Sequence, residues 1–212
     1  MNRETAMLTF YTNPQSRGRM ARWALEETGA PYETKIIGYG EEMKSPAYLA
    51  INPMGKVPAL DHDGYIVTET AAITAYLADA FPAANLAPLP GSPQRALYYR
   101  WLFFTAGPLE SALLIAALKV EVPPERTRMA GYGTFGLVLD TLEAALAPGP
   151  YLLGDQFTAA DIYLGAQLMF ALRFKQITPR PAFVSYVERL TSRPAAQRAA
   201  ALDDALILPP AS

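Results

Sequence analysis

Asn52-Pro53-Met54-Gly55-Lys56-Val57-Pro58-Ala59-Leu60 runs into Asp61-His62-Asp63-Gly64 and then Tyr65-Ile66-Val67. Two short apolar runs joined through an Asp-Gly pair read as a β-hairpin. A proline opening the first run has no N–H to give to a ladder, which suits a strand start or a sheet edge. Two readings of the Val57–Pro58 bond follow. A trans bond simply opens an edge strand. A cis bond, found in about 5–6% of X–Pro bonds of folded proteins, turns the Val57 N–H and C=O outward. An extended peptide can then add to that edge as an extra strand.

Upstream, Met7-Leu8-Thr9-Phe10-Tyr11 is a β-prone apolar run ended by Asn13-Pro14. Ser16 to Gly29 carries Met20, Trp23, Ala24 and Glu27 at helical spacing, with Gly29 as the stop. Tyr32 to Ile37 reads as a second strand and Glu41 to Ala50 as a short helix. Downstream, Thr68 to Phe81 is helical, with Ile73, Tyr76 and Leu77 on one stripe. The order β-α-β-α-β-β-α predicts a small mixed sheet covered by helices.

The stretch from Phe81 to Pro93 holds Pro82, Pro88, Pro90 and Pro93, which forbid a regular element. Beyond it no strand alternation is visible. Gln94 to Val120 reads as one long helix kinked at Gly107-Pro108, where proline removes a backbone donor. Pro123 to Leu146 carries Phe135, Val138, Leu139, Leu142 and Leu146 on a helical stripe. Shorter helices are predicted at 158–174, 181–190 and 194–202. The division is thus a mixed α+β domain over 1–82, a linker over 83–93 and an all-helical domain over 94–212.

Composition narrows the function. The chain has 212 residues, 51% hydrophobic and 18% charged, which is ordinary for a folded protein and too apolar for a disordered one. A net charge of −2 argues against a nucleic-acid binder. With no cysteine and His62 alone, neither a thiolate–zinc nor a histidine-rich metal site is expected, nor a Cys nucleophile. No apolar run reaches the roughly 18 residues of a membrane span, and the start carries no long apolar leader, so the expectation is a cytoplasmic protein.

Three places suit chemistry besides the Val57–Pro58 edge. Thr68-Glu69-Thr70 stands where a strand passes into a helix, whose free amides and dipole favour a carboxylate. Thr68 also suits a helix cap there. Asn13-Pro14-Gln15-Ser16-Arg17-Gly18-Arg19 leads into the first helix, where a hydroxyl and two cations suit a thiolate or carboxylate. Ser16 equally reads as an ordinary cap. Thr158-Ala159-Ala160-Asp161, behind Phe157, is spaced as a capping box and reads as structural. The aromatic set Tyr98, Tyr99, Trp101, Phe103 and Phe104 belongs mostly to core or subunit contact, with one or two left for an apolar cleft.

In this order these pieces resemble a cytosolic glutathione transferase, from Met7 to Leu202. The resemblance is carried by Asn52 to Pro58, by Thr68-Glu69-Thr70-Ala71-Ala72-Ile73, and by Gly154-Asp155-Gln156-Phe157-Thr158-Ala159-Ala160-Asp161. It implies a thioredoxin-like domain followed by a helical domain, a cytoplasmic homodimer, glutathione as co-substrate with no metal, and conjugation to an apolar electrophile in detoxification. Val57 would pair with the cysteinyl part of glutathione beside a cis Pro58. Glu69 and Thr70 would hold the γ-glutamyl end, and Lys56 would lie near the glycyl carboxylate. Ser16 matches the thiol-contacting serine of serine-type members, with Tyr11 or Asn13 as alternatives. Arg17 stands beside it, where some bacterial members carry cysteine. Tyr11, Tyr98 and Trp101 are the expected lining of the electrophile cleft. The same fold also serves in members that bind glutathione or an apolar ligand without turnover, or that act as interaction proteins.

Overall fold

The computed structural model describes residues 7–207. Expectations for the start of the chain and for its last residues lie outside that range. The chain separates into two compact units, one running to Ala84 and resuming at Arg193, the other spanning Asn85–Ser192.

The first unit is built on β1 (Leu8–Thr12), whose residues are all buried. It pairs in parallel with β2 (Tyr32–Ile36) and antiparallel with β3 (Ala59–His62), which pairs antiparallel with β4 (Tyr65–Thr68). The sheet order is β2-β1-β3-β4. The hairpin read from Asp-Gly is there: Asp63 and Gly64 have φ of 52° and 87°, and the Gly64 N–H donates to Asp61 Oδ1 at 2.7 Å. Two positive φ values match the twist of the flanking strands.

Helix α1 (Gly18–Thr28) buries Met20, Ala21, Trp23, Ala24 and Leu25 and ends at Gly29 with φ 66°. Its left-handed stop needs no Cβ. The expected helix over 41–50 is split: a tight turn at Glu42–Lys44, then the short α2 (Pro46–Leu49). Pro46 explains the break, because it cannot continue a preceding turn but suits a first helical position, with Ser45 as cap. Helix α3 (Thr70–Ala80) buries Ile73, Thr74, Leu77 and Ala78.

In the second unit the long helix expected over 94–120 is two helices, α4 (Pro93–Phe104) and α5 (Glu110–Ala117), joined by a single wide π-turn at Thr105–Leu109. Pro108 inside that turn lacks the donor that an α-helical turn needs. The helix expected from Pro123 starts later. A 3-10 turn at Pro124–Met129 precedes Gly131 and Gly133, and α6 (Phe135–Leu146) begins only after its Thr134 cap. Then come α7 (Ala159–Arg173) and α8 (Pro181–Thr191). At the start of α7 the Asp161 carboxylate is fully buried. It accepts from Thr158 N and Oγ1 at 2.9 and 3.0 Å, from Leu152 N at 2.8 Å and from the Tyr186 hydroxyl at 2.8 Å. Burial nevertheless pushes its carboxyl up from the ordinary value.

The last helix, α9 (Pro194–Asp204), clusters with the first unit and corrects the expected 94–212 domain. The reason is a seam of charges with α1. Arg22 Nε meets Asp203 at 2.8 Å, Arg19 meets Asp204 at 2.8 Å, and Arg193 grips Glu27 with two nitrogens at 2.6 and 2.8 Å. Helical periodicity alone gives no sign of which unit such a helix joins. The expected linker likewise divides, with Leu86 buried and its carbonyl accepting from Ala159 N at 2.7 Å.

Candidate active site

The loop between β1 and α1 is shaped by Asn13. Its side-chain amide donates to the Ile37 carbonyl at 3.0 Å and accepts from Gln15 N at 3.0 Å. Its carbonyl accepts from Ser16 twice, from the backbone N–H at 3.0 Å and from the hydroxyl at 2.7 Å. The Ser16 oxygen in turn accepts from Gly18 N at 2.9 Å. Ser16 thus closes the turn ahead of α1, whose N-cap position is Arg17, and it is half exposed; Arg17 is exposed. Arg19 reaches the Pro14 carbonyl at 3.4 Å. Asn13 is buried with both side-chain polar atoms engaged, so it holds the loop rather than facing outward.

The Val57–Pro58 bond is cis, and Val57 lies just before β3, outside the ladder. The segment before it is pinned from two sides. The Lys56 carbonyl accepts from the Tyr48 hydroxyl and from Asn52 Nδ2, both at 2.7 Å. Burial, and then neighbouring Tyr11, pushes the Tyr48 phenol up to about 12, so it remains a donor at neutral pH. Lys44 Nζ donates to the carbonyls of Met54 and Gly55 at 3.0 and 2.9 Å, while the Lys56 side chain is exposed. Tyr11, Ile37, Met43, Tyr48 and Ala59 form one apolar cluster against which Val57 packs. Tyr11 is thus beside the Val57 edge, its ring tilted against Tyr48 and with Lys35 Nζ 5.6 Å from its centre.

At the start of α3 the backbone of Glu69 stands at φ 67°, ψ 121°, a region that side chains other than glycine rarely take. Its side chain is exposed and Thr70 is buried. The first unit therefore holds the loop of Ser16 and Arg17, the edge of Lys56, Val57 and Pro58, and the helix start of Glu69 and Thr70. No group of three or more His, Asp or Glu among the described residues is placed to hold a metal ion.

Tyr98 and Trp101 differ from expectation. They lie in the second unit at 0% and 5% exposure, Tyr98 under the Arg95 guanidinium at 4.9 Å and Trp101 edge-on to Phe104. With Leu102 they form the buried stripe of α4, which Thr105 continues into the π-turn. Their rings pack the core and are corrected as cleft lining. Sequence reading missed Tyr48 and Lys44, which anchor the Val57 segment. Neither belongs to a motif, and only an aromatic with a polar tip in so short a helix hinted at Tyr48.

Residues 6–79 match the model of the glutathione S-transferase N-terminal domain, and residues 129–190 that of the glutathione S-transferase C-terminal domain. The chain is 32% identical over 180 residues to glutathione S-transferase 3 of Zea mays, spanning 79% of each. A glutathione transferase structure from Methylococcus capsulatus superposes with a TM-score of 0.78 at 31% identity, over 94% of this chain and 100% of that one. The theta class glutathione S-transferase of Xanthomonas axonopodis pv. citri, with glutathione bound, gives 0.71 at 33% identity, over 91% and 96%. The chain belongs to the cytosolic glutathione transferase superfamily.

Proposed function

We propose that this glutathione transferase holds glutathione on its first unit, keeps the sulfur as a thiolate and conjugates it to electrophilic small molecules. The observation that carries the reading is Val57, packed against the cluster of Tyr11 and Tyr48 yet outside the β3 ladder, an edge for the cysteinyl backbone. The start of α3 at Glu69 and Thr70 suits the γ-glutamyl end, because helix starts favour carboxylates. Lys56, exposed beside the Val57 segment, takes the glycyl carboxylate in this reading, and exposed Arg17 adds positive potential beside the loop.

Ser16 takes the sulfur contact. A free thiol near 8.5 is only about 3% ionised at pH 7. Lowering it by about two units takes roughly 2.7 kcal/mol of preference for the anion. One charge-assisted hydrogen bond and the dipole of α1 are of that size. To make the bond, the Ser16 hydroxyl turns from the Asn13 carbonyl to the sulfur. That carbonyl keeps the Ser16 N–H, so nothing is orphaned. The thiol proton leaves to water. The thiolate forms a C–S bond, and either a leaving anion departs or the adduct takes a proton from water. Tyr11 is a second reading for the contact, favoured by its place in the cluster against Val57.

Titrating the thiolate absorbance of the glutathione complex tests this. Ser16→Ala raises the apparent thiol pKa by about a unit or more, and Tyr11→Phe leaves it in place; the reverse pattern assigns the contact to Tyr11. No heat on titration with glutathione overturns the whole reading. A homodimer through α4 and α5 is part of the proposal, supported by exposed Leu97, Phe103 and Leu114 on those helices, and a monomeric mass in dilute solution refutes it. No helix among the described residues is long and apolar enough to cross a membrane. A cytoplasmic location completes the proposal.

A further inference from the structure

We propose that Tyr39 is a positioning residue for the thiol contact, acting on Ser16 through the peptide that joins Gln15 to Ser16; this rests on the assignment of Ser16 above. Tyr39 follows β2, and its side chain is 59% exposed. A ring so bare is not fixed by packing. Its hydroxyl reaches across 24 residues of sequence to donate to the Gln15 carbonyl at 3.2 Å. The N–H of that same peptide belongs to Ser16 and donates to the Asn13 carbonyl at 3.0 Å. Both polar groups of the peptide that carries Ser16 are therefore engaged, one by Asn13 and the other by Tyr39.

The loop after β2 is built to bring the hydroxyl there. Ile37 is fastened to the end of β1 and to the loop beyond it. Its N–H donates to the Thr12 carbonyl at 2.8 Å, and its carbonyl accepts from Asn13 Nδ2 at 3.0 Å. Gly38 N donates to Glu42 Oε2 at 2.6 Å, and a Cβ on Gly38 would stand 2.8 Å from that oxygen. Gly40 turns the chain at φ 90°, a value that suits glycine. Tyr39 thus stands between two fixed points. The Asn13 carbonyl accepts from both the N–H and the hydroxyl of Ser16, and two donors on one oxygen weaken each other. A donor on the Gln15 carbonyl polarises the peptide and strengthens its N–H as a donor. The Asn13 carbonyl then holds the Ser16 N–H more firmly and the hydroxyl less, which releases that proton to the sulfur. The bond also fixes the plane of the peptide, so Ser16 keeps its place when its hydroxyl turns.

The test is Tyr39→Phe in the full chain, with Ser16→Ala and the double variant beside it. The change removes one oxygen from an exposed side chain and leaves the charges of Arg17, Arg19, Lys35, Glu41 and Glu42 as they are. Thiolate absorbance is read on the glutathione complex against the complex with S-methylglutathione, which cancels the lost phenol. The melting temperature is expected to stay within about 2 °C, as for a surface change. The ionisation constant of the bound thiol falls about threefold, the effect of losing part of one hydrogen bond. kcat toward chlorodinitrobenzene falls at low pH and recovers at high pH, while KM for that electrophile stays within about twofold. On Ser16→Ala the same change does nothing further. If Ser16→Ala shifts the titration and Tyr39→Phe does not, this proposal falls alone. If Ser16→Ala shifts nothing, the assignment of Ser16 falls and takes this proposal with it. A Tyr39→Phe shift that persists on Ser16→Ala means that the phenol acts on the sulfur itself and overturns the proposal. A raised KM with an unshifted titration makes Tyr39 a contact for the electrophile and overturns it too. So does a melting temperature several degrees lower with activity lost at every pH.

Discussion

Arg22 and Asp203 lie 181 residues apart in sequence and 2.8 Å apart in space, with side chains 2% and 0% exposed. The same guanidinium donates to the Tyr32 hydroxyl and to Thr34 Oγ1, each at 3.1 Å. One side chain of α1 thus ties the last helix to the second strand. Removing one partner of such a pair leaves an uncompensated buried charge. Asp203→Ala is expected to lose about 3–5 kcal/mol of stability, read from denaturant unfolding. Replacing both partners, as in Arg22→Met with Asp203→Leu, loses much less. An equal loss in both cases would show that packing, not charge, holds α9.

Gly55 stands at φ 55°, and a Cβ there would meet Lys44 Nζ and the Met43 carbonyl, both at 2.8 Å. Lys44 can swing away, but the carbonyl is backbone. Gly55→Ala is expected to cost about 1–3 kcal/mol and to weaken glutathione binding at least tenfold by shifting the Val57 segment. Calorimetric affinity equal to that of the unchanged protein would contradict it.

Glu69 makes the opposite prediction. Its strained φ of 67° suits glycine, so Glu69→Gly relieves strain while removing a carboxylate from the site. The melting temperature of the unliganded protein is expected to hold or rise, and glutathione affinity to fall. A lower melting temperature would show that the side chain, rather than the site, accounts for the strained backbone.

Asp161 satisfies four donors from inside the helical unit. Asp161→Ala orphans them and removes a cap, with an expected loss of about 2–4 kcal/mol in thermal or denaturant unfolding. Asp161→Asn is expected to be nearly as damaging, because its NH2 faces donors.

High pH probes the first unit. Burial raises Tyr48 to about 12, and burial with the Glu26 hydrogen bond raises Tyr32 to about 12. An unfolded tyrosine ionises near 10. Between pH 10 and 12 the unfolded chain has lost these protons and the native one still holds them. Stability is therefore whole below pH 10 and falls as pH rises through 12. Phenolate absorbance is expected to show a late group that ionises together with unfolding. Tyr48→Phe removes part of that late group.

Much of this was legible in the residues. Asp63-Gly64 announced the hairpin, Gly29 the end of α1, and Thr158 with Asp161 the start of α7, because each is a local rule that a few neighbouring atoms decide. The position of α9 was not legible. Its amphipathic pattern states that one face is covered, and Arg22, Arg193 and Asp203 identify the covering partner only once paired. The same limit applies at the site. Val57, Pro58 and Glu69 stand in motifs, whereas Tyr48 and Lys44 matter through contacts made across the fold. Tyr98 and Trp101 failed as cleft residues because an aromatic stripe reads alike whether it faces a ligand or a core.

The π-turn at Thr105–Leu109 places one residue more in its turn than an α-helix does. Each residue of an α-helix advances by about 100°, so a helical wheel drawn straight through 94–117 is wrong by about that angle after Leu109. The wide turn absorbs that extra residue, and Leu113 of α5 faces inward while Leu114 faces outward. Deleting one residue there turns the wide turn into a plain α-helical one and leaves those two faces where they are, whereas a deletion further along, inside α5, swings every later side chain by about 100°.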